Sequence, residues 1–184
     1  MLKQQIQSYQ PYNEQEEKDK EVILKYLATF NNLLTRENEF AHFTASAWVV
    51  NKKRTKVVMI YHNIYQSWAW TGGHADGEED LQRVALREVE EETGLKNLKL
   101  IDDEIYSIEI LTVNGHVKRG KYVSSHLHLN LTFLIEADEQ EKTRIKEDEN
   151  SGVKWVNIEE ATRITREAQM VPIYEKLNQK LKKR

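Results

Sequence analysis

Three glutamates, Glu88, Glu91 and Glu92, occur at i, i+3 and i+4, a spacing that makes their side chains neighbours on a helix. Carboxylates held this close repel one another, and a divalent cation relieves the repulsion. On a helical wheel that starts at Leu81 they fall at roughly 340°, 280° and 20°, where they continue the apolar stripe that should meet the core. Glu90 falls at roughly 180° and should face solvent. The pattern predicts a divalent-cation site, and a solvated acidic helix is the alternative.

The predicted helix has suitable ends and follows a glycine-rich loop. Asp80 can cap its N-terminus by accepting a hydrogen bond from a free backbone N–H, and Gly94 suits the left-handed residue that ends a helix. Before it, Gly72, Gly73 and Gly77 permit a tight loop and a close approach of the backbone to a ligand. Such a loop beside a helix can hold phosphate oxygens against backbone N–H groups. The sequence therefore predicts a phosphate site next to the cation site.

The segment from Gly73 to Leu95 resembles the Nudix box, the signature of Nudix hydrolases. It matches at every specified position, and these are Gly73, Glu79, Arg87, Glu88, Val89, Glu91, Glu92, Gly94 and Leu95. The resemblance implies hydrolysis of a diphosphate linkage in a nucleoside diphosphate joined to another group, with Mg²⁺ or Mn²⁺ as cofactor. It also implies that Glu88, Glu91 and Glu92 hold the metal, and that Glu79 pairs with Arg87 to support the loop.

The flanking residues extend this resemblance. Residues 42–50 and 70–77 are similar to the first core strand and the glycine loop of a bacterial Nudix subgroup of largely unassigned substrate. That subgroup more often has proline where Thr71 stands, a difference that loosens one loop position without removing a ligand. The similarity covers residues 40–165 and implies the Nudix fold, an α/β fold in which a mixed β-sheet is sandwiched between helices.

We predict a single Nudix hydrolase domain over 1–184, with an added N-terminal helix over 13–34, a core over 40–165 and a C-terminal helix within 166–184. The N-terminal helix should pack on the domain or on a second subunit. Alternating apolar residues predict strands over these ranges: 43–50, 56–61, 104–113, 126–136 and 153–156. Strands and helices in this order also predict a mixed sheet between helical layers.

Capping patterns predict where three helices begin. Asn13 with Glu16, and Asn157 with Glu160, have the spacing of a capping box. The final helix should begin near Pro172, because proline is tolerated in the first turn.

Further catalytic candidates lie outside the helix. Glu149 belongs to an acidic loop before the last predicted strand, where family members often place a catalytic or metal-binding glutamate. Glu147 and Asp148 have equal local claims, and an ordinary solvated turn is the alternative. The catalytic residues that we predict are Glu91, Glu92, Glu149 and Arg87.

The predicted substrate-binding residues are Gly72, Gly73, His74, Trp68 and His126. His74 follows the double glycine and could donate to a phosphate, although a surface position is the alternative. Trp68 or Trp70 could stack on a base, although tryptophans are more often buried in a core. His126 and His128 lie two apart on the polar face of a strand, opposite a leucine-rich face. That spacing can hold metal or contact substrate, and an ordinary polar strand face is the alternative.

Composition and charge narrow the function classes. Hydrophobic residues make up 39% and charged residues 31%, as in a globular protein with a charged surface. There is no cysteine, which excludes disulfides and thiolate metal sites. No apolar run could span a bilayer and no signal peptide is recognisable, so we expect a cytoplasmic protein without membrane contact. The net charge of −3 makes nucleic acid an improbable partner. The sequence does not decide whether the protein is a homodimer. The five bases of 176–184 should form a frayed, solvated helix end.

Three other functions remain as alternatives. An isoprenoid diphosphate isomerase-like enzyme is expected to use a cysteine in proton transfer, and this chain has none. A non-catalytic nucleotide-binding Nudix module usually loses box glutamates, and all are present here. A hydrolase of RNA ends or dinucleoside polyphosphates fits the box, although the lack of a basic surface disfavours RNA. We therefore predict a diphosphate hydrolase in which the metal lowers the pKa of a water and a carboxylate takes its proton.

Overall fold

Helices cover both faces of a long mixed sheet. The computed structural model describes residues 2–118 and 120–184. The helices are α1 (Leu2–Ser8), α2 (Glu14–Thr29), α3 (Leu81–Thr93), α4 (Ala161–Ile164) and α5 (Val171–Leu181), with a short 3₁₀ helix at Ala168–Met170. The strands are β1 (Ala41–Asn51), β2 (Lys56–His62), β3 (Ser67–Ala69), β4 (Thr71–His74), β5 (Lys99–Leu100), β6 (Ser107–Val113), β7 (His116–Lys118), β8 (Lys121–Val123), β9 (His126–Ala137) and β10 (Asn150–Asn157). In the part of the chain that the structure describes, no helix is long and apolar enough to cross a membrane.

The main sheet is mixed, as predicted. Over the described ranges it has eight strands, with the path β10–β2–β1–β9–β5 and with β3, β4 and β6 paired to β2, β1 and β9. β1 and β9 run parallel along their whole length, from Ala41 opposite Leu127 to Asn51 opposite Ala137. The remaining pairs are antiparallel, including that of β1 with β2. β7 and β8 form a separate small hairpin.

Side chains of the central strands alternate between two cores. Phe43, Ala45 and Leu131 lie on the face that meets α3 and the N-terminal helices. Trp48 and Leu134 lie on the opposite face, beneath α4 and α5. Because both faces are covered, every residue of β1 is buried. The predicted sandwich of a sheet between helices is confirmed.

The N-terminal helix begins as predicted and ends early. The Asn13 side chain accepts a hydrogen bond from the Glu16 N–H at 3.0 Å, but α2 ends at Thr29 and the prediction of a helix to residue 34 is wrong. The chain becomes extended at Phe30, and the Leu33 carbonyl accepts from the Phe43 N–H at 2.7 Å. Attachment to β1 therefore overrides the helical spacing of apolar residues, which continues through Phe30 to Leu34. Helix α2 packs on β6 of its own domain. Helix α1, which precedes it, was not predicted.

The capping pattern of Asn157 with Glu160 gave a wrong helix start. Asn157 is the last residue of β10, and α4 begins at Ala161. The Ile158 N–H donates to the Thr55 carbonyl at 3.0 Å, which keeps the chain beside the β1–β2 turn. The start of the final helix near Pro172 is confirmed, because α5 begins at Val171.

The bases of the C-terminal segment are solvated only at 182–184, because α5 docks two of its lysines into the protein. Lys176 is only 4% exposed, and its Nζ lies 2.9 Å from Glu109 and 3.2 Å from Glu16. Lys180 Nζ lies 3.0 Å from Glu16. Burial alone would raise the pKa of the Glu16 carboxyl, but Lys176 and Lys180 lower it below its usual value. Buried ion pairs therefore link α2, β6 and α5 on the rim of the sheet.

Candidate active site

Helix α3 presents the acidic cluster at its C-terminal end. Asp80 caps the helix by accepting from the Arg83 N–H at 3.2 Å, and Gly94 ends it in the left-handed region with φ 76°. Both ends are as predicted. The apolar stripe of the helix is fully buried beneath β1 and consists of Leu81, Val84, Ala85 and Val89. This packing fixes the helix so that its last turn lies beside β4.

The two glycines before the helix belong to a strand, not to a loop. Gly72 pairs with Ser46 and Gly73 with Ala45 of β1, so the turn begins only after His74. A Cβ atom at Gly73 would lie 2.4 Å from Cδ and 2.6 Å from Oε1 of Glu88. A Cβ atom at Gly72 would lie 2.6 Å from the Ala45 carbonyl oxygen. Glycine is required at both positions because of close approach, and Gly73 makes room for a box carboxylate.

Glu92 is held deepest in the site. It is 3% exposed, and its Oε2 accepts from the Gly72 N–H at 2.9 Å. Burial raises the pKa of the Glu92 carboxyl well above its usual value; the Gly72 hydrogen bond opposes the shift, and the charges of Glu88 and Glu149 add to it. Burial likewise raises the pKa of Glu88, against the hydrogen bond from Arg87. These carboxylates therefore gain from a nearby cation, which would stabilise their charged forms.

Glu91 and Glu149 meet at a shared lysine. Lys146 Nζ lies 2.8 Å from Oε2 of Glu91 and 3.0 Å from Oε2 of Glu149. Partial burial alone would lower the pKa of Lys146, but its hydrogen bonds to these two carboxylates raise that pKa above the usual range. The structure thus brings Glu149 to the acidic cluster, whereas the alternative of an isolated solvated turn does not account for the Lys146 contact.

Arg87 pairs within the cluster instead of with Glu79. Its Nη2 lies 3.3 Å from Oε1 of Glu88 and its Nε lies 3.9 Å from Oε1 of Glu91. The ion pair with Glu79 that the resemblance implied is absent from the described residues; Glu79 instead borders a shallow cavity beside Leu2. Arg87 therefore neutralises the carboxylates directly.

The donor set suits a hard divalent cation, because it consists of carboxylate oxygens. Glu88, Glu91, Glu92 and Glu149 supply them from the end of one helix and one loop. In residues 2–118 and 120–184, the carboxylates do not form a set whose ligand atoms all lie within 4.8 Å of one another. Glu91 instead accepts a hydrogen bond from Lys146, and Glu92 accepts one from the Gly72 N–H. Mg²⁺ tolerates this spread, since it commonly keeps several waters between itself and its protein ligands.

The two tryptophans before the box have different environments. Trp70 is buried and packs edge-on against Tyr174 in the core. Trp68 is half-buried; Tyr61 contacts its edge, and Lys154 Nζ lies 4.2 Å from its ring centroid. Of the two, only Trp68 is not fully buried.

His74 and His126 lie in a cluster of imidazoles where β4 ends and β9 begins. The β9 side chains alternate as predicted, with the leucines in the core and the polar residues on the other face. That polar face is buried rather than solvated, because Asn130 and Thr132 donate to Glu109 at 3.0 and 2.9 Å. His128 and His126 continue the same face beside His74.

Sequence reasoning missed two residues, Lys146 and His42. Lys146 stands three residues before Glu149, and a basic residue at this spacing in an acidic loop was the available signal. His42 reaches the imidazole cluster because it lies opposite His128 in the parallel β1–β9 pair. That contact depends on the strand register, which local patterns do not specify.

Comparisons with known proteins identify the family of the chain. The model of the NUDIX domain family matches residues 40–177. An RNA pyrophosphohydrolase of Pelagibacter ubique (strain HTCC1062) is 29% identical over 118 residues, which cover 62% of this chain and 74% of the relative.

Solved structures share the fold. A C. elegans Ap4A hydrolase in a binary complex superposes with a TM-score of 0.58 and 20% identity, over 77% of this chain and 98% of that one. The E. coli dihydroneopterin triphosphate pyrophosphohydrolase gives a TM-score of 0.56 and 17% identity, over 73% and 92% of the two chains.

Proposed function

The chain belongs to the Nudix hydrolase family, whose members act on pyrophosphate bonds of nucleoside diphosphate derivatives, and we propose that it cleaves a small diphosphate substrate with the carboxylates at the end of α3. The observation that carries the proposal is the contact between these carboxylates and the glycine strand. Glu92 accepts from the Gly72 N–H, and Glu88 lies directly over Gly73. A diphosphate beside Gly73 would therefore adjoin the candidate metal ligands.

Glu88, Glu91 and Glu92 are the residues that would hold Mg²⁺ or Mn²⁺, partly through water. When bound, such a cation neutralises phosphate charge and lowers the pKa of a water. Gly72 positions Glu92, because its N–H is already donated to that carboxylate. Arg87 is a positioning residue, because it contacts both Glu88 and Glu91.

We assign the role of general base to Glu149. Of the three neighbouring acids in its loop, it is the one that pairs with Lys146, which also binds Glu91. Its side chain is 41% exposed, so a water can reach it. A base at this position would take the proton of the attacking water.

The charge of the chain and its candidate contact residues, rather than the relatives, indicate the substrate class. The relatives named above include a pyrophosphohydrolase of RNA, a hydrolase of Ap4A and one of dihydroneopterin triphosphate. We propose a nucleotide-like small molecule, because a net charge of −3 gives no steering toward a nucleic acid backbone. The half-buried Trp68 is the candidate surface for a base, and His74 and His126 remain predicted substrate contacts.

A substrate screen in ¹⁸O-labelled water tests the proposal. The panel contains nucleotide sugars, dinucleoside polyphosphates, nucleoside triphosphates, diphosphate lipids and a short triphosphorylated RNA, each with Mg²⁺ and with Mn²⁺. We expect turnover of at least one small diphosphate, with one label in a phosphate product. Glu91→Gln is the matched inactive control. Unlabelled product with a rearranged carbon skeleton would show an isomerase instead, and binding without turnover would show a nucleotide-binding module.

A further inference from the structure

Imidazoles gather at the sheet end beside Gly73. The cluster comprises His42 of β1, His74 of β4, and His126 and His128 of β9. The ring centroid of His42 lies 5.2 Å from that of His74 and 5.1 Å from that of His128, and those of His74 and His128 are 4.9 Å apart. One ligand atom of each of these three rings lies within 4.8 Å of the others. The chain has six histidines, so four of them at one place call for an explanation.

The most buried ring of the cluster has an unused nitrogen. His42 is 4% exposed, and its Nδ1 donates to the Asn38 carbonyl at 3.0 Å. Its Nε2 is buried and has no hydrogen-bond partner. With the proton on Nδ1, Nε2 carries a lone pair and can only accept or bind a cation. Metal-binding histidines commonly have this arrangement, with the second ring nitrogen donated to a backbone carbonyl.

His126 repeats the arrangement. Its Nδ1 donates to the Ser124 carbonyl at 2.8 Å, which leaves Nε2 as an acceptor. That Nε2 lies 3.3 Å from Nε2 of His128. In a tetrahedral zinc site with Zn–N bonds of about 2.0–2.1 Å, ligand nitrogens lie about 3.4 Å apart. The two nitrogens lie within hydrogen-bond distance, and their spacing is also that of two neighbouring ligands of one metal.

The donor atoms also favour a transition metal. The three-residue set contains only nitrogen donors, which suit Zn²⁺, Co²⁺ or Ni²⁺ rather than Mg²⁺.

We propose that His42, His74 and His128 bind a first-row transition-metal cation of the Zn²⁺ type, with His126 beside His128 rather than in the set of three. This site is separate from the carboxylate site of α3. It adjoins that site through β4, because His74 directly follows the glycine over which Glu88 lies. A metal here would fix the β1, β4 and β9 ends against one another, beside the glycines that we assign to the diphosphate.

Cobalt substitution tests this site independently of catalysis. The full chain, free of any polyhistidine tag and stripped with a chelator, is titrated with Co²⁺ in excess Mg²⁺, and the visible absorption of tetrahedral Co²⁺ is recorded. We expect one intense, saturable Co²⁺ site that Zn²⁺ displaces. His128→Ala and His42→Asn should weaken Co²⁺ binding by at least about 100-fold, the upper end of what loss of a supporting partner costs. Circular dichroism confirms that each variant folds.

Two controls separate this site from the carboxylate site. His62→Asn alters a histidine outside the cluster and should keep the Co²⁺ spectrum, and so should Glu91→Gln. A spectrum that survives in the folded His128→Ala protein overturns the proposal, and so does one abolished by Glu91→Gln alone. If His128→Ala does not fold, melting temperature replaces the spectrum. Zn²⁺ should raise the melting temperature of wild type, and an equal rise in His74→Gln would overturn the proposal.

Discussion

Replacing Gly73 with alanine should damage catalysis far more than stability. The new Cβ would lie 2.4 Å from Cδ of Glu88, whereas unbonded carbon atoms pack at about 3.5 Å or more. The carboxyl group must therefore move by about 1 Å, and a misplacement of this size can cost about 10²-fold in rate. We expect kcat to fall about 10²-fold, which corresponds to about 2.7 kcal/mol. The carboxyl group is the flexible end of a side chain, so folding should change little.

Gly72→Ala is the matched comparison. Its Cβ would meet the Ala45 carbonyl oxygen at 2.6 Å and Cα of Ser46 at 2.9 Å, and these are backbone atoms of the central strand. Overpacking that the backbone must absorb typically costs about 1–3 kcal/mol. Urea unfolding followed by circular dichroism measures stability, and kcat at saturating Mg²⁺ measures catalysis. Wild-type kcat in Gly73→Ala, or a stability loss equal to that of Gly72→Ala, would refute the assigned contact between Gly73 and Glu88.

Three further predictions concern Glu149, the buried lysine and acid unfolding. Glu149→Gln should lower kcat by about 10²–10⁴-fold with little change in the half-saturating Mg²⁺ concentration. Glu147→Gln should leave kcat unchanged. If Glu149→Gln also loses Mg²⁺ affinity, Glu149 is a metal ligand instead of the base. Lys176→Met leaves the buried Glu109 carboxylate without its paired lysine, while Glu16 keeps Lys180, and should cost about 3–5 kcal/mol in urea unfolding. Lys182→Met, in an exposed pair, should cost less than about 1 kcal/mol. Because the pKa of Glu16 is lowered in the folded state, its contribution to stability is complete above the unfolded value of about 4.3 and is lost as pH falls through the folded value. As pH falls below about 4.3, the unfolding free energy of Glu16→Gln should decline less steeply than that of wild type. Equal slopes in the two proteins would contradict the ion-pair account.

Local patterns were sufficient for the elements that bury one continuous stripe. Helix α3 was predicted with both ends, because its stripe, its Asp80 cap and its Gly94 all lie in the segment itself. The alternation in β9 likewise identified its core face. In these cases local preference and tertiary packing agree, which is the condition under which sequence patterns succeed.

Elements decided by distant partners were missed. β4 contains two glycines and shows no alternation, so only its pairing with β1 makes it a strand. Lys176 is part of a basic segment that appears solvated until Glu109 and Glu16 are placed against it. Within the site, the glutamates followed from helical spacing, whereas the contact of Lys146 with Glu91 depends on how a separate loop meets α3.

Turnover of Glu92→Gln beside Glu90→Gln tests the central claim most directly. Glutamine at position 92 has the same size and can still accept from the Gly72 N–H, so it removes charge from the metal site and leaves the fold intact. Glu90 is exposed on the other side of α3. With a substrate from the screen and a full Mg²⁺ titration, we predict a loss of at least about 10²-fold in kcat for Glu92→Gln and wild-type values for Glu90→Gln. Equal turnover in the two variants would contradict the assignment of the α3 carboxylates as the metal site of a diphosphate hydrolase.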